Sequence, residues 1–261
     1  MIAMGYDLGA AYTKVVILKD GEVIGKGIAK TTLDPEESVE KARQAALQDA
    51  HIEGKQIDRV GVTGSGRKLI KNADVDTTDV SADAAGVNFY SKDFKTLIDV
   101  GGEEARAVKV SADGKVVNFA VNDKCAAGAG AFVEAMARAM QLSLEEFAES
   151  SLASTKKIPI NAQCAIFAES EVVSLISDET KREDICRAVH DGISERLTSM
   201  ARRVGIEDRV ALIGGAVMNK GLVKSIQDGL DMDVTVLPDP LFVSAVGIAV
   251  LAAKAEGQQR T

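Results

Sequence analysis

The sequence has no tryptophan, few aromatic residues and only three cysteines, Cys125, Cys164 and Cys186. This number and irregular spacing do not suit the paired disulfide framework of a small secreted protein. No apolar run approaches the roughly 20 residues of a membrane span. The N-terminal stretch reaches Asp7 too early for the apolar region of a secretory signal. We therefore expect a soluble, cytoplasmic protein with no membrane partner.

Clustered basic residues and a Walker loop are missing as well. The 261-residue chain carries a formal charge of −8, and its Lys and Arg residues are scattered. Because phosphate backbones are bound by clustered cations, we expect no nucleic-acid partner. A glycine-rich segment, GSGRK, follows a predicted strand at 59–63, but the G-x-x-x-x-G-K-S/T spacing occurs nowhere. Conventional P-loop chemistry is therefore excluded.

The sequence does contain an internal repeat. A strand ending in Asp7 is followed by a glycine turn, a second strand, the dipeptide Asp20–Gly21 and a third strand, which predicts an antiparallel meander. The same pattern recurs around Asp99 and Asp113–Gly114. Thirteen positions separate Asp7 from Asp20, and fourteen separate Asp99 from Asp113. The repeat predicts two similar α/β lobes, each opening with a three-strand meander whose first strand ends in an aspartate.

The repeated aspartate and glycine residues suggest a nucleotide site. Glycine N–H groups bind phosphate oxygens, and two carboxylates can hold Mg²⁺ through water. A single aspartate in a turn is more often ordinary turn chemistry, but the matching positions of Asp7 and Asp99 favour the functional interpretation. A further pair, Gly214–Gly215, follows a predicted buried strand over Val210–Ile213. Nucleotide bases and sugars often lie at such a turn, although this signal is weak alone.

Two of the cysteines precede predicted helices. Cys125 lies in NDKCAAGAGAF and Cys164 in QCAIFAESEVVS. A thiolate at a helix start faces unpaired N–H groups and the positive end of the helix dipole, which lower its pKa and suit an anionic cluster. Gly128 and Gly130 would allow a bound group to approach the backbone closely. A lone cysteine is more often a small buried hydrophobe, and that interpretation fits Cys186 in the apolar stripe of a predicted helix over 182–204.

We interpret Cys125 and Cys164 as half of an iron–sulfur site. A cubane cluster needs four thiolates, and the chain has only three cysteines in total. A cluster on these two residues therefore requires two chains. Structural cysteines remain the alternative, but the small flanking residues and the two helix starts favour the cluster.

Together these features resemble the actin-like ATPase superfold, to which sugar and acetate kinases also belong. In that resemblance, Asp7-Leu-Gly is the first phosphate turn, Asp99-Val-Gly-Gly the second, and Gly214–Gly215 the adenosine turn. The two cysteine motifs are similar to the signatures of activators of 2-hydroxyacyl-CoA dehydratases and of the ATP-binding subunits of benzoyl-CoA reductases. The resemblance covers nearly the whole chain. It implies a first lobe over 1–94, a second over 95–240 that carries both cluster cysteines, and a helix over 241–261 that returns to the first.

The resemblance also implies cofactors and partners. A dimer would hold one 4Fe-4S cluster between Cys125 and Cys164 of each subunit, and each subunit would bind ATP and Mg²⁺. ATP hydrolysis would then drive a low-potential electron into a CoA-ester reductase or dehydratase. The further partners are a second ATP-binding subunit, identical or not, and an electron donor such as ferredoxin.

Several residues receive roles by this resemblance. The catalytic residues are Asp7, Asp99 and Glu103, and the two aspartates also hold Mg²⁺ through water. The nucleotide-binding residues are Gly9, Ala10, Ala11, Lys14, Gly101, Gly102, Gly128, Gly130, Gly214 and Gly215.

The chain departs from the family pattern at six positions. Activators usually carry Gly-Gly-Gln-Asp after the second aspartate, where this chain has Gly101-Gly102-Glu103-Glu104. The glutamine orients the attacking water, and Glu103 in its place could act as a base or bind Mg²⁺ differently. Ala10 and Ala11 replace hydroxyl residues of the first phosphate turn, and Ala129 and Ala131 replace a threonine and an arginine. Because one subunit of a heteromer can diverge while its mate supplies the function, these changes favour a benzoyl-CoA reductase subunit. A homodimeric dehydratase activator is the alternative.

Two other classes are rivals on the same superfold. A small-molecule kinase, for example of a sugar, would have no use for two thiols at helix starts. A non-catalytic actin-like or chaperone-like module would use the cysteines only structurally or for zinc. Both rivals predict a colourless protein. The two histidines, His51 and His190, receive no role from the sequence.

Overall fold

The structure is a computed structural model that describes residues 1–122, 129–161, 165–207 and 209–255. Its strands are β1 (Ile2–Leu8), β2 (Tyr12–Lys19), β3 (Glu22–Lys30), β4 (Arg59–Thr63), β5 (Val75–Asp76), β6 (Thr96–Val100), β7 (Ala105–Val110), β8 (Val116–Val121), β9 (Val210–Ile213) and β10 (Val234–Val236). Its helices are α1 (Pro35–Asp49), α2 (Asp79–Tyr90), α3 (Ala129–Ala139), α4 (Leu144–Ala153), α5 (Ala165–Ser177), α6 (Arg182–Val204), α7 (Lys220–Leu230) and α8 (Val243–Lys254).

The strands form two five-stranded sheets that repeat each other. The first has the order β3-β2-β1-β4-β5, and the second has the order β8-β7-β6-β9-β10. In the first, β1 pairs antiparallel with β2 and parallel with β4; in the second, β6 pairs antiparallel with β7 and parallel with β9. The predicted duplicated meander is therefore confirmed, and each copy is extended by two strands beyond its first strand.

The hairpin turns have the conformation that their residues favour. Asp20 and Gly21 both have positive φ, at 52° and 90°, as a two-residue turn between antiparallel strands requires. In the second copy, Gly114 has a φ of 77°. Glycine adopts this region without strain and aspartate tolerates it, which suits Asp20 and Gly21 in the first turn and Gly114 in the second.

The first compact unit comprises Met1–Phe94, Val110–Val117 and Leu241–Thr261. Strand β2 is buried on both faces, because alternate side chains of its apolar run point to opposite sides of the sheet. Val15 and Ile17 join a cluster that includes residues of α1, whereas Val16 and Leu18 join a cluster that includes residues of α8. Helix α8 thus covers the face of this sheet opposite α1.

The second compact unit comprises Lys95–Lys109 and Asn118–Pro240. Its core lies between β6, β7 and β9 and helices α3 to α7, with α6 as its longest helix. Cys186 on α6 has no exposed surface and belongs to this core, which confirms the packing role that its stripe predicts. Within the described residues, none of the helices has the length and apolar character to cross a membrane.

Candidate functional site

The first phosphate turn follows β1. In the ladder between β1 and β2, Asp7 lies directly opposite Lys14, and their Oδ2 and Nζ atoms are 2.9 Å apart. Both side chains are largely buried, with 9% and 14% of their surfaces exposed. The Gly9 N–H donates to the Tyr12 carbonyl at 3.2 Å, and the Thr31 hydroxyl donates to the Gly9 carbonyl at 2.9 Å. The turn is therefore held by its own backbone and by the residue that follows β3.

The second phosphate turn repeats this arrangement after β6. Asp99 lies directly opposite Arg106, and an Arg106 Nη2 to Asp99 Oδ2 distance of 3.0 Å joins the two side chains. Their exposed fractions are 6% for Asp99 and 11% for Arg106. The same Nη2 is 3.9 Å from Glu104 Oε2. A buried carboxylate requires a charged or hydrogen-bonded partner, and each copy supplies that cation at the same ladder position.

Sequence reasoning did not assign Arg106 a role. The signal was present, because Arg106 follows Asp99 by the same interval as Lys14 follows Asp7. A comparison of the second strands of the two meanders, in addition to the aspartates, would have identified Arg106 as the counterpart of Lys14.

The first turn of α3 is bonded to the second phosphate turn. The Gly130 N–H donates to the Gly101 carbonyl at 3.1 Å, and the Ala131 N–H donates to the Gly102 carbonyl at 2.9 Å. A Cβ on Gly130 would lie only 3.0 Å from the Gly102 Cα, so glycine permits this close approach. Glu103 is exposed between Gly102 and β7. The N–H of Gly130, which the sequence assigns to the nucleotide, faces a protein carbonyl here.

The adenosine turn also contacts the second phosphate turn. Gly214 has a φ of 93°, and its N–H donates to the Pro240 carbonyl at 2.8 Å. A Cβ at this position would overlap the Asp99 carboxylate and lie 2.5 Å from the Val100 carbonyl. Gly215 then begins a short 3₁₀ turn that leads into α7. The second unit thus brings Asp99, Gly101 and Gly214 together at the carboxyl ends of β6 and β9.

The described candidate residues fall into two sets. Asp7, Gly9, Ala10, Ala11 and Lys14 belong to the first unit. The second unit contains Asp99, Gly101, Gly102, Glu103, Gly130, Gly214 and Gly215.

Cys125, Cys164 and Gly128 lie outside the described residues. Their neighbours in sequence are described: α3 begins at Ala129 and α5 begins at Ala165. A helix therefore follows each cysteine segment, as predicted. Among the described residues, no three His, Cys, Asp or Glu side chains are grouped as metal ligands.

A cavity of about 570 Å³ in the second unit lies beside the carboxyl half of α6. Asn122, Ala129 and Asn161 contribute to its lining, together with Arg196 and Arg203. None of the described residues that the sequence assigns to the nucleotide lines this cavity, so it does not define the nucleotide site.

The histidines differ in their environments. His51 is exposed and adopts a φ of 53° just after α1. His190 on α6 is fully buried, with its Nδ1 2.8 Å from the Ser151 hydroxyl and its ring edge-to-face with Phe147. Burial lowers the pKa of His190 to about 3. The neutral ring is a packing element between α4 and α6.

A sequence model of the BadF/BadG/BcrA/BcrD ATPase family matches residues 4–252. The chain belongs to this ATPase family. It is 34% identical over 259 residues to the 2-hydroxyisocaproyl-CoA dehydratase activator of Clostridioides difficile, covering 97% of this chain and 95% of that protein. It is 35% identical over 255 residues to the activator of lactoyl-CoA dehydratase of Anaerotignum propionicum, covering 98% of each.

Solved structures of two dehydratase-activating proteins have the same fold as this chain. Component A of the Acidaminococcus fermentans (R)-2-hydroxyglutaryl-CoA dehydratase matches with a TM-score of 0.92 and 32% identity over 97% of this chain and 98% of that chain. The activator of 2-hydroxyisocaproyl-CoA dehydratase from Clostridium difficile, with bound ADPNP, matches with a TM-score of 0.87 and 33% identity over 97% and 94%. A glucokinase of the ROK family from Streptomyces griseus, at 14% identity, matches with a TM-score of 0.62, which shows the fold alone. The expected two-lobed actin-like ATPase fold is confirmed.

The relatives correct the choice within the family. The sequence departures favoured a benzoyl-CoA reductase subunit over a dehydratase activator. A benzoyl-CoA reductase polypeptide of Thauera aromatica is only 25% identical over 263 residues, covering 97% of this chain and 93% of that protein. The dehydratase activators are more similar over the same extent, so the alternative is better supported. Single-residue departures at turns were a poorer guide than similarity along the whole chain.

Proposed function

We propose that this chain is the ATP-hydrolysing activator of a 2-hydroxyacyl-CoA dehydratase in the cytoplasm. Two copies share one 4Fe-4S cluster, and each copy binds Mg-ATP. The electron comes from a donor of the ferredoxin class and passes to the dehydratase, which carries the CoA ester. Membership of the family and the two cysteine motifs support the dimer, the cluster and these partners.

The observation that carries the proposal is the bonding between the second phosphate turn and α3. Gly101 and Gly102 accept hydrogen bonds from the first turn of the helix that follows Cys125. A movement of this turn on nucleotide binding or hydrolysis is therefore transmitted to the start of the helix that follows the Cys125 segment in the sequence. A sugar kinase has no need for this connection, whereas an ATP-driven electron carrier depends on one.

The phosphate turns suit Mg-ATP. Asp7 and Asp99 provide oxygen atoms, the ligand type that Mg²⁺ prefers, and each lies at the carboxyl end of its strand. Lys14 adds a positive charge beside Asp7 for the phosphates. Glu103, exposed at the second turn, takes the position at which activators orient the attacking water; a carboxylate there can accept a proton from that water.

The cysteine motifs suit a cluster by their chemistry. Two thiols from each copy supply the four sulfur ligands of a cubane, which transfers one electron at a time at low potential. Helix α3 begins four positions after Cys125, and α5 begins at the residue after Cys164. The positive end of a helix dipole favours the negative charge of a thiolate.

The chain offers a matched test of the cluster. After anaerobic purification we expect a brown protein with about four iron atoms per two chains, since four thiolates bind one cubane. Cys125→Ala and Cys164→Ala should each remove the iron and the visible absorption. Cys186→Ala should keep both, because the Cys186 thiol is buried in the core and burial raises its pKa to about 12. A colourless wild-type protein after reconstitution would refute the proposal and leave the two rival classes, a small-molecule kinase and a non-catalytic module.

A second assay separates the two members of the family. The reduced, Mg-ATP-loaded dimer should start dehydration of a 2-hydroxyacyl-CoA by a purified dehydratase. Support of benzoyl-CoA reduction instead, with no dehydratase activation, would return the assignment to the reductase class.

A further inference from the structure

The glycine-rich segment that follows β4 has no role in the proposed function so far. Strand β4 pairs parallel with β1, and Thr63 lies opposite Asp7. Ser65 comes two positions after Thr63, just as Gly9 comes two positions after Asp7 on the neighbouring strand. Since ligands bind at the carboxyl ends of parallel strands, this places the segment beside the first phosphate turn.

The segment is fixed to the residue that opens the turn. The Gly66 N–H donates to the Leu8 carbonyl at 2.9 Å. Gly64 has a φ of 93°, and a Cβ there would lie 2.5 Å from the same carbonyl oxygen. On the other side, Arg67 Nε is 2.9 Å from Asp76 Oδ1. The backbone at Ser65 is thus held in place from both ends.

Ser65 presents a weakly held hydroxyl at this place. The residue is exposed, and its Oγ lies 3.4 Å from the Leu8 carbonyl, which already accepts the shorter bond from Gly66. Hydroxyl hydrogen bonds are usually about 2.7 to 2.8 Å long, so this one is weak. A charged phosphate oxygen is a stronger acceptor than a shared carbonyl.

The turn itself lacks a hydroxyl where the family usually has one. Its two residues after Gly9 are Ala10 and Ala11, which offer a phosphate no side-chain donor. A hydroxyl from the neighbouring strand end would make up for this difference.

We propose that Ser65 is a nucleotide-binding residue whose hydroxyl donates to a terminal phosphate oxygen of Mg-ATP. It supplies the hydrogen bond that Ala10 and Ala11 do not provide. The inference rests on the proposed function and assigns the glycine-rich segment to the same nucleotide site.

The test is calorimetric binding of a non-hydrolysable ATP analogue with Mg²⁺ to the full chain. Ser65→Ala should weaken binding about tenfold, the loss expected for one hydrogen bond to a charged group. Ser65→Thr should retain most of the affinity. Ser91→Ala is the matched control. The Ser91 hydroxyl accepts a hydrogen bond from the Asp93 N–H just after the C-terminal end of α2. The Ser91→Ala variant should bind the analogue with wild-type affinity.

A second substitution separates phosphate binding from a structural role. Ala10→Ser in the Ser65→Ala background should recover most of the lost affinity by returning a hydroxyl to the turn. Wild-type affinity in Ser65→Ala, or a loss that Ala10→Ser does not recover, would overturn the inference. If the wild type itself does not bind the analogue, the proposed function fails as well, so the two failures are distinguishable.

Discussion

Each candidate magnesium ligand is neutralised by a cation from the adjacent strand. Asp7 pairs with Lys14 and Asp99 with Arg106, and all four side chains are largely buried. Removal of one partner takes away the ion pair that offsets the desolvation of the other, which is more costly than replacing both partners by apolar groups. These cations therefore contribute to the stability of the fold as well as to the charge of the phosphate turns.

Arg106→Gln should lower the free energy of unfolding by about 3 kcal/mol, because the buried Asp99 carboxylate then loses the ion pair that offsets part of its desolvation. Arg106→Lys should lower it less, since a charge is kept. Urea denaturation in the absence of nucleotide measures both. Adding Asp99→Asn to Arg106→Gln should restore part of the loss, and equal stabilities for the Gln and Lys variants would contradict the argument.

His190 makes the stability of the second unit depend on pH. Its pKa is about 3 in the folded chain, far below the ordinary value of 6.5. Between these values the unfolded chain binds a proton that the folded chain does not, so stability falls as the pH falls below about 6.5. The slope approaches about 1.4 kcal/mol per pH unit.

We therefore expect the wild type to lose more stability between pH 7 and pH 5 than His190→Gln does. Urea denaturation at the two pH values gives the comparison. Carboxylates with lowered pKa values titrate at lower pH than this interval. Asp184 is an example, because the hydrogen bond from Ser154 lowers its pKa. Parallel losses in both proteins would show that His190 is not the titrating group.

At the scale of elements, the tightest contact of the site joins the adenosine turn to β6. Gly214 lacks the Cβ that would overlap the Asp99 carboxylate, and its φ of 93° disfavours any other residue. The turn after β9 and the turn after β6 are therefore fitted to each other within one unit.

Gly214→Ala should weaken nucleotide binding at least tenfold and lower stability, because the new methyl group displaces either the turn or Asp99. Gly21→Ala is the control, since Gly21 has a similar φ of 90° but no atom within 4 Å of an added Cβ. Its loss should be limited to backbone strain of about 1 kcal/mol, with binding unchanged. Calorimetry measures the binding of each variant, and urea denaturation measures its stability. Similar losses of binding in Gly214→Ala and Gly21→Ala would contradict the steric argument.

Helices were predictable where the sequence shows a clear apolar stripe or a clear boundary. Helix α6 has the bounds that its pattern predicts, and α1 begins at Pro35 after its capping residue Asp34. Helices α2 and α4 were not predicted. Helix α2 is rich in alanine and buried on several sides, which leaves no periodic signal. Helix α4 does carry a signal, the capping box of Ser143 and Glu146.

At the scale of the whole molecule, the duplication was predictable because both meanders preserve an aspartate and a glycine-containing hairpin. The contacts that assemble the candidate site were not. Gly214 packs on Asp99, and α3 bonds to Gly101, through the tertiary fold rather than through any local pattern. Such contacts join segments far apart in sequence, and the pattern of a single sequence does not indicate which distant segments meet.

Helix α8 follows the entire second unit in the chain but packs with Val16 and Leu18 of β2. During synthesis, the first sheet therefore emerges from the ribosome long before the helix that covers one of its faces. Until then, those apolar side chains are open to chaperones or to other nascent chains. The order of translation thus lets the second unit fold before the first is finished.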